Sequence, residues 1–228
     1  MISLIIRTHN DLNLVDKAIR SALRQDFADF EILVIDDGSE KETRDLIDSF
    51  HHPRLRVLHQ QNQGMIKAGY EGLRLARGEY VVFLDGDDEC SPNMLSELYS
   101  GLQSGAPYED YSNRREYAFA YSDYHEIDLR TNARKEISCK NILNTLAAGI
   151  LFRKKILEEI GFWDQRFMFP EYDLLFRILT KYKGVHVPKP LYLYKRHPRS
   201  FTADPQKIAM GKKQLEEKYG PLPEFKEY

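Results

Sequence analysis

The feature that most constrains this 228-residue chain is the regular alternation, over its first 84 residues, of short apolar β-branched runs with segments of helical period. Ile2 to Ile6 leads through polar Thr8-His9-Asn10 to Leu12, Val15, Ile19 and Leu23, which are spaced to share one helical face. Glu31-Ile32-Leu33-Val34-Ile35 opens a second unit. It exits through Asp36-Asp37-Gly38-Ser39 into a helix over Glu40 to Phe50, with Leu46, Ile47 and Phe50 available to pack. Leu55 to Leu58 is a third strand and Met65 to Ala76 a third helix, with Gly78 as a left-handed terminus. Tyr80-Val81-Val82-Phe83-Leu84 is too apolar to face water and belongs in the middle of a sheet. Such alternation implies parallel strands joined by right-handed crossovers, and it brings the polar loops after strands one, two and four together at their carboxyl ends.

Regularity falls in the second half. A helix over Pro92 to Gln103 precedes Ser104 to Asn113, a small and polar stretch that reads as a loop or mobile connection. Ala118 to Tyr121 is a strand, Lys154 to Ile160 and Tyr172 to Tyr182 are helices, and Val185 to Val187 and Leu191 to Tyr194 are two short strands around Pro188 and Pro190. No internal repeat is visible. The organisation expected is a first half over 1–105, a second half over 106–200 and a C-terminal tail over 201–228.

Composition excludes several classes. With 42% hydrophobic and 30% charged residues the chain is an ordinary globular protein, and a formal charge of −2 argues against nucleic acid as a partner. From Lys181 to Tyr228 there are 11 Lys and Arg against 5 Asp and Glu. That basic stretch reads as a solvated face, a cradle for phosphate, or a contact with an anionic membrane surface. Cys90 and Cys139 are too few for a metal set and fit a reduced cytoplasm. The N-terminus lacks the pattern of a signal peptide, and no window reaches the ~18 apolar residues of a membrane span.

The chemistry gathers in the loops. Asp85-Gly86-Asp87-Asp88 follows the most apolar strand, so three carboxylates meet at a sheet edge where a hard divalent cation would offset their repulsion. Gly86 leaves room for close approach of a ligand. A solvated turn, or a cap for the Pro92 helix, is the plainer alternative. Asp37 can accept from a ribose hydroxyl or a base imide, or can cap the Glu40 helix.

Ile2 to Asn10, Gln25-Asp26-Phe27 to Ser39, Asn62-Gln63-Gly64, Ala76 to Tyr80 and Phe83 to Asp88 resemble, in order and spacing, the nucleotide-sugar-binding half of family 2 glycosyltransferases. Gly149 to Arg153, Ile160 to Asp164, Pro170-Glu171-Tyr172-Asp173 and Tyr194-Lys195-Arg196-His197 extend the resemblance to about Thr202. It implies an α/β GT-A fold: a mixed, mainly parallel, Rossmann-like sheet flanked by helices, with a smaller acceptor-side region. It also implies inverting transfer of a sugar from a nucleoside-diphosphate sugar, a UDP-sugar foremost, to a saccharide or lipid-linked hydroxyl, with Mn2+ or Mg2+ as cofactor. The setting it suggests is bacterial surface-polysaccharide assembly in the cytoplasm, at the inner face of a membrane.

By similarity, Thr8, His9, Asn10, Asp37, Lys67, Asp85 and Gly86 bind the nucleotide, and Asp85, Asp87 and His197 meet the metal. Lys195, Arg196 and Arg199 hold the diphosphate. Glu171 stands where the family's usual Asp base falls, with Asp173 orienting a neighbour, capping the helix or serving as the base instead. Besides Glu171, three positions depart from the family pattern: Arg7 replaces a common Pro, and Gly69 and Tyr70 replace a common Arg-Asn. Arg7 then reaches a phosphate or is a plain surface residue. Trp163 is a platform for the acceptor sugar or a core residue. A sugar nucleotidyltransferase would share the sheet but carry a Gly-rich basic loop after strand one, which Arg7-Thr8-His9-Asn10 is not. A non-catalytic nucleotide- or carbohydrate-binding module stays open because of the departure at Glu171.

Overall fold

The computed structural model describes residues 1–104, 117–139, 148–200 and 203–222. The expected loop at Ser104 to Asn113 lies, beyond Ser104, outside the described residues. Four parallel strands, β1 (Ile2–Thr8), β2 (Phe30–Asp36), β3 (Leu55–His59) and β4 (Tyr80–Asp85), are joined by α1 (Val15–Leu23), α2 (Lys41–Asp48) and α3 (Met65–Leu75). Every residue of β1 and β2 is buried, as expected for strands covered by helices on both faces. Leu12 does not share the buried face of α1: it precedes the helix and is 39% exposed.

The sheet runs on without a break. After β5 (Glu89–Cys90) and α4 (Met94–Ser104) come β6 (Tyr117–Asp128), β7 (Arg134–Ile137), β8 (Leu151–Arg153), α5 (Lys154–Ile160), α6 (Pro170–Leu179), β9 (Lys183–Arg196) and α7 (Pro205–Tyr219). The strand order is β3-β2-β1-β4-β8-β6-β9-β5, with β7 paired to β6. β8 lies antiparallel to β4, so β4 is central, as its composition requires. The strand at β8 was not legible, because three residues are too few to show a period.

Two local expectations change. The paired short strands around Pro188 and Pro190 are one strand, β9. Its register against β6 slips between Ser122 paired with Val187 and Asp123 paired with Pro190, and this irregularity accommodates prolines that cannot donate to a ladder. Gly78 has no left-handed backbone. A Cβ there would stand 2.6 Å from the Ser3 amide nitrogen, so glycine is needed for close approach to β1. Residues 205–219, within the expected tail, form α7, where a Cβ on Gly211 would meet the Phe169 ring at 2.1 Å.

Candidate active site

Register brings the loop ends together: Arg7 pairs with Asp85 across β1 and β4, and Thr8 with Asp36 across β1 and β2. Chain order reverses between β2-β1 and β4, the point at which open α/β sheets bind ligands. A cleft of about 420 Å³ opens there, walled by the β1 loop, Asp37, the loop before α3, Asp85 to Asp88, and Tyr194 and Arg199 from the far strand and its exit.

At one end Asp37 is buried, and its carboxylate accepts from the backbone N–H groups of Gln63 (2.9 Å) and Gly64 (2.7 Å) and from the Gln60 amide (2.6 Å). It thereby holds the Asn62-Gln63-Gly64 loop against the cleft instead of capping α2, whose start has no side-chain cap. His9 is exposed at the rim. Its Nδ1 donates to the Asp37 carbonyl at 2.9 Å, which leaves Nε2 to accept from the Asn62 amide at 3.0 Å. Thr8 donates to Asp11 at 3.1 Å, and Asp11 also lines the cleft, a residue the sequence reading missed. Asn10 lies outside the lining. It takes a left-handed backbone (φ 60°) and ties the two loops by accepting from the Glu40 amide (2.7 Å) and donating to Ser39 (2.9 Å). Lys67 is exposed on α3 and does not line the cleft.

The acidic turn divides its carboxylates. Asp85 and Asp87 face the cleft, whereas Asp88, 1% exposed, accepts from the Tyr192 hydroxyl and the Lys195 amide, each at 2.8 Å. Burial, then the charges of Asp87 and Asp85, push the Asp88 carboxyl well above its usual range. It clamps the turn to β9, so the three carboxylates do not share one cation. Tyr192 also accepts from the Asp85 amide at 3.3 Å. Gly86 is required by the protein itself, since a Cβ there would stand 2.7 Å from Thr8. His197 reaches Asp87 at 2.9 Å. Burial and the Asp85 charge raise the Asp87 carboxyl, with His197 opposing.

The three basic residues part company. Arg199 lines the cleft, and its guanidinium lies 3.4 Å from the Asn10 carbonyl. Lys195 is buried 3.0 Å from Glu89, and Arg196 pairs with Glu126 at 3.2 Å. Neither of these lines the cleft. Alternation along β9 turns their side chains to carboxylates outside it.

In the second half of the chain, Glu171 lies in the first turn of α6 and is mostly buried. Burial raises its carboxyl, and the nearby Arg7 guanidinium only partly offsets this. Asp173 faces away. Its carboxylate accepts from Lys218 (2.6 Å), Tyr219 (2.7 Å) and Arg177 (2.9 Å), tying α7 to α6. Trp163 is a core residue, 8% exposed, packed on Phe162 (4.2 Å between centroids) and Phe83 (4.9 Å). Arg7 is not a plain surface residue: it stands among the residues lining the cleft. It is 5% exposed, donates to Asp85 at 2.5 Å and stands 3.9 Å from Glu171.

Among the described residues no three His, Cys, Asp or Glu side chains form a cage for a metal ion. Two neighbouring carboxylates, one raised by the other's charge, and an imidazole on one of them nonetheless suit a hard divalent cation held jointly with phosphate oxygens.

The sequence model for "Glycosyl transferase family 2" matches residues 3–161. The chain belongs to this family. The family 2 chain is 26% identical over 225 residues to the uncharacterized glycosyltransferase EpsJ of Bacillus subtilis, covering 92% of this chain and 65% of that protein. It is 31% identical over 212 residues to the Campylobacter jejuni GalNAc(5)-diNAcBac-PP-undecaprenol beta-1,3-glucosyltransferase, covering 85% of this chain and 64% of that enzyme. It thus spans just under two thirds of both relatives. Its GT-A fold is shared with S. aureus TarS 1-349 in complex with UDP, at a TM-score of 0.68 and 19% identity over 94% of this chain and 65% of that one. It is shared too with the mannosyltransferase PcManGT of Pyrobaculum calidifontis in complex with GDP-Man and Mn2+, at a TM-score of 0.71 and 17% identity over 97% and 65%.

Proposed function

We propose that this family 2 chain transfers a sugar, with inversion, from a nucleoside-diphosphate sugar to a hydroxyl of a saccharide or lipid-linked acceptor. The observation that carries the reading is a cleft lined by Asp37, His9 and Asn62 and by Asp85 and Asp87, with Glu171, outside the lining, 3.9 Å from the Arg7 guanidinium that donates to Asp85. UDP is the favoured carrier and Mn2+ or Mg2+ the favoured cation, in line with the UDP complex of TarS and the Mn2+ complex of PcManGT. The Campylobacter relative's undecaprenol-linked acceptor favours a lipid-linked one here, with the reaction at the inner face of a membrane and the basic C-terminal stretch as a peripheral contact. Among the described residues no helix is long and apolar enough to cross a membrane.

Asp37, Thr8 and His9 receive the nucleoside, and Arg199 approaches the diphosphate. Asp85, Asp87 and His197 would hold the cation, which supplies charge neutralisation to the departing diphosphate. Glu171 takes the proton of the acceptor hydroxyl as its oxygen bonds to the anomeric carbon. The bond from that carbon to the diphosphate breaks, and the electron pair leaves with the diphosphate. Burial suits Glu171 to this task by raising its affinity for a proton.

Glu171→Gln removes the base while keeping the shape. Transfer should fall by about 100-fold or more, with calorimetric UDP affinity in Mn2+ unchanged. Full transfer by that variant would remove Glu171 from the mechanism, and no transfer by the unaltered protein across a donor and acceptor panel would favour a binding module.

A further inference from the structure

Arg7 lies near the end of β1 at the cleft wall with its guanidinium over the Phe83 ring at 5.3 Å and the Trp163 ring at 4.9 Å, contacts that compensate part of its desolvation. The Trp163 ring holds its place because position 69 has no side chain: a Cβ on Gly69 would stand 2.2 Å from it. Nη2 of Arg7 donates to Asp85 Oδ1 at 2.5 Å, while Nη1 stops 3.9 Å short of Glu171 Oε1. Nε and Nη1 are buried with no hydrogen-bond partner among the described residues. A buried N–H left unpaired is costly, and a guanidinium cannot escape by losing its proton. Glu171 Oε1, 3.9 Å away, is a carboxylate oxygen close enough for Nη1 to turn to.

Arg7 therefore sits between two carboxylates with different tasks. Asp85 is wanted by a divalent cation, and Glu171 is wanted as a base in a fixed orientation. One guanidinium cannot serve both fully at the observed spacing. With a cation held at Asp85 and Asp87, Arg7 would be repelled and would loosen its hold on Asp85, with Glu171 beside Nη1 to turn to.

We propose that Arg7 is an exchangeable internal counter-ion that holds Asp85 until the cation-bound donor takes that carboxylate, and then closes on Glu171 and aligns it for the acceptor. Arg7 is on this view a positioning residue that couples donor loading to readiness of the base, and it rests on the roles proposed above for Asp85 and Glu171. The coupling is reciprocal: whatever strengthens the Arg7–Glu171 contact favours the cation, and the cation favours that contact.

The test measures Mn2+ binding by titration calorimetry in the presence of UDP, whose phosphates would share the cation, beside steady-state transfer. Arg7→Gln removes the competitor for Asp85, so Mn2+ should bind about fivefold more tightly. In the same variant kcat should fall about 100-fold, with the donor KM unchanged or lower. A phosphate-binding or merely structural Arg7 gives the opposite pattern, with cation and donor affinity both reduced. Arg7→Lys keeps one charge without the two-sided fork, and covers the case in which the glutamine variant fails to fold. It should hold Mn2+ affinity near that of the unaltered protein and still lose about tenfold in kcat. Mn2+ affinity unchanged or weaker in Arg7→Gln, or full kcat in Arg7→Lys, overturns the proposal. Absence of Mn2+ binding or of transfer in the unaltered protein would instead sink the proposed function.

Discussion

At the scale of single residues, Gly69, Trp163 and Arg7 form one packing unit. The indole fills the space a side chain at 69 would need and presents its face to the guanidinium. Gly69→Ala should cost about 1–3 kcal/mol by overpacking, read as a lower denaturant midpoint. An unchanged midpoint would mean that the indole can move aside freely, and would weaken the case that it fixes Arg7. All three residue types were visible in the sequence, and both Arg7 and Gly69 stood out as departures from the family pattern. Their connection was not visible, because it crosses from β1 to α3 to the loop after α5. Asp85, Asp87 and Asp37 were legible because each lies at the end of an apolar strand. Lys195 and Arg196 show the reverse case. A run of basic residues says nothing about which strand face each side chain takes, and these two meet Glu89 and Glu126.

At the scale of elements, α6 and α7 are joined through Asp173. Burial alone would raise its carboxyl, but the bonds from Lys218, Tyr219 and Arg177 outweigh burial and hold its pKa below the usual carboxylate range. Its contribution to stability is therefore fully present above the unfolded pKa of about 3.9 and is lost as pH falls through the lower folded value. Asp173→Asn should cost about 2–3 kcal/mol at neutral pH, part of the network being exposed at Lys218. The gap between variant and parent in urea unfolding should narrow as pH drops below about 4. A gap that does not change with pH would show that the carboxylate's charge is not what ties the helices. Asp173 was a second candidate for the base from its place in the chain. Its position two residues after Glu171 turns it to another side of α6, toward a helix whose docking could not be read from sequence.

At the scale of the whole molecule, the two halves expected from the sequence share one sheet. Val81 and Val82 of β4 pair with Phe152 and Leu151 of β8, and Gly101 of α4 packs on Val187 of β9. Asp88 is held by Tyr192 and Lys195 of the same far strand. A fragment covering 1–105 should therefore lack a cooperative thermal transition and self-associate in size-exclusion chromatography, since β4 would become a long apolar edge. A monodisperse fragment with a sharp transition would show that the first half folds alone.

The strand–helix alternation, the central place of β4 and the meeting of three polar loops followed from the sequence by itself, because periodicity and apolar content are local properties of the chain. Tertiary structure alone decided which carboxylate faces the cleft, which is buried beneath it and which ties two helices together. Those outcomes depend on the twist, register and side-chain direction of strands far apart in the chain, and at the active site they leave one buried guanidinium between Asp85 and Glu171.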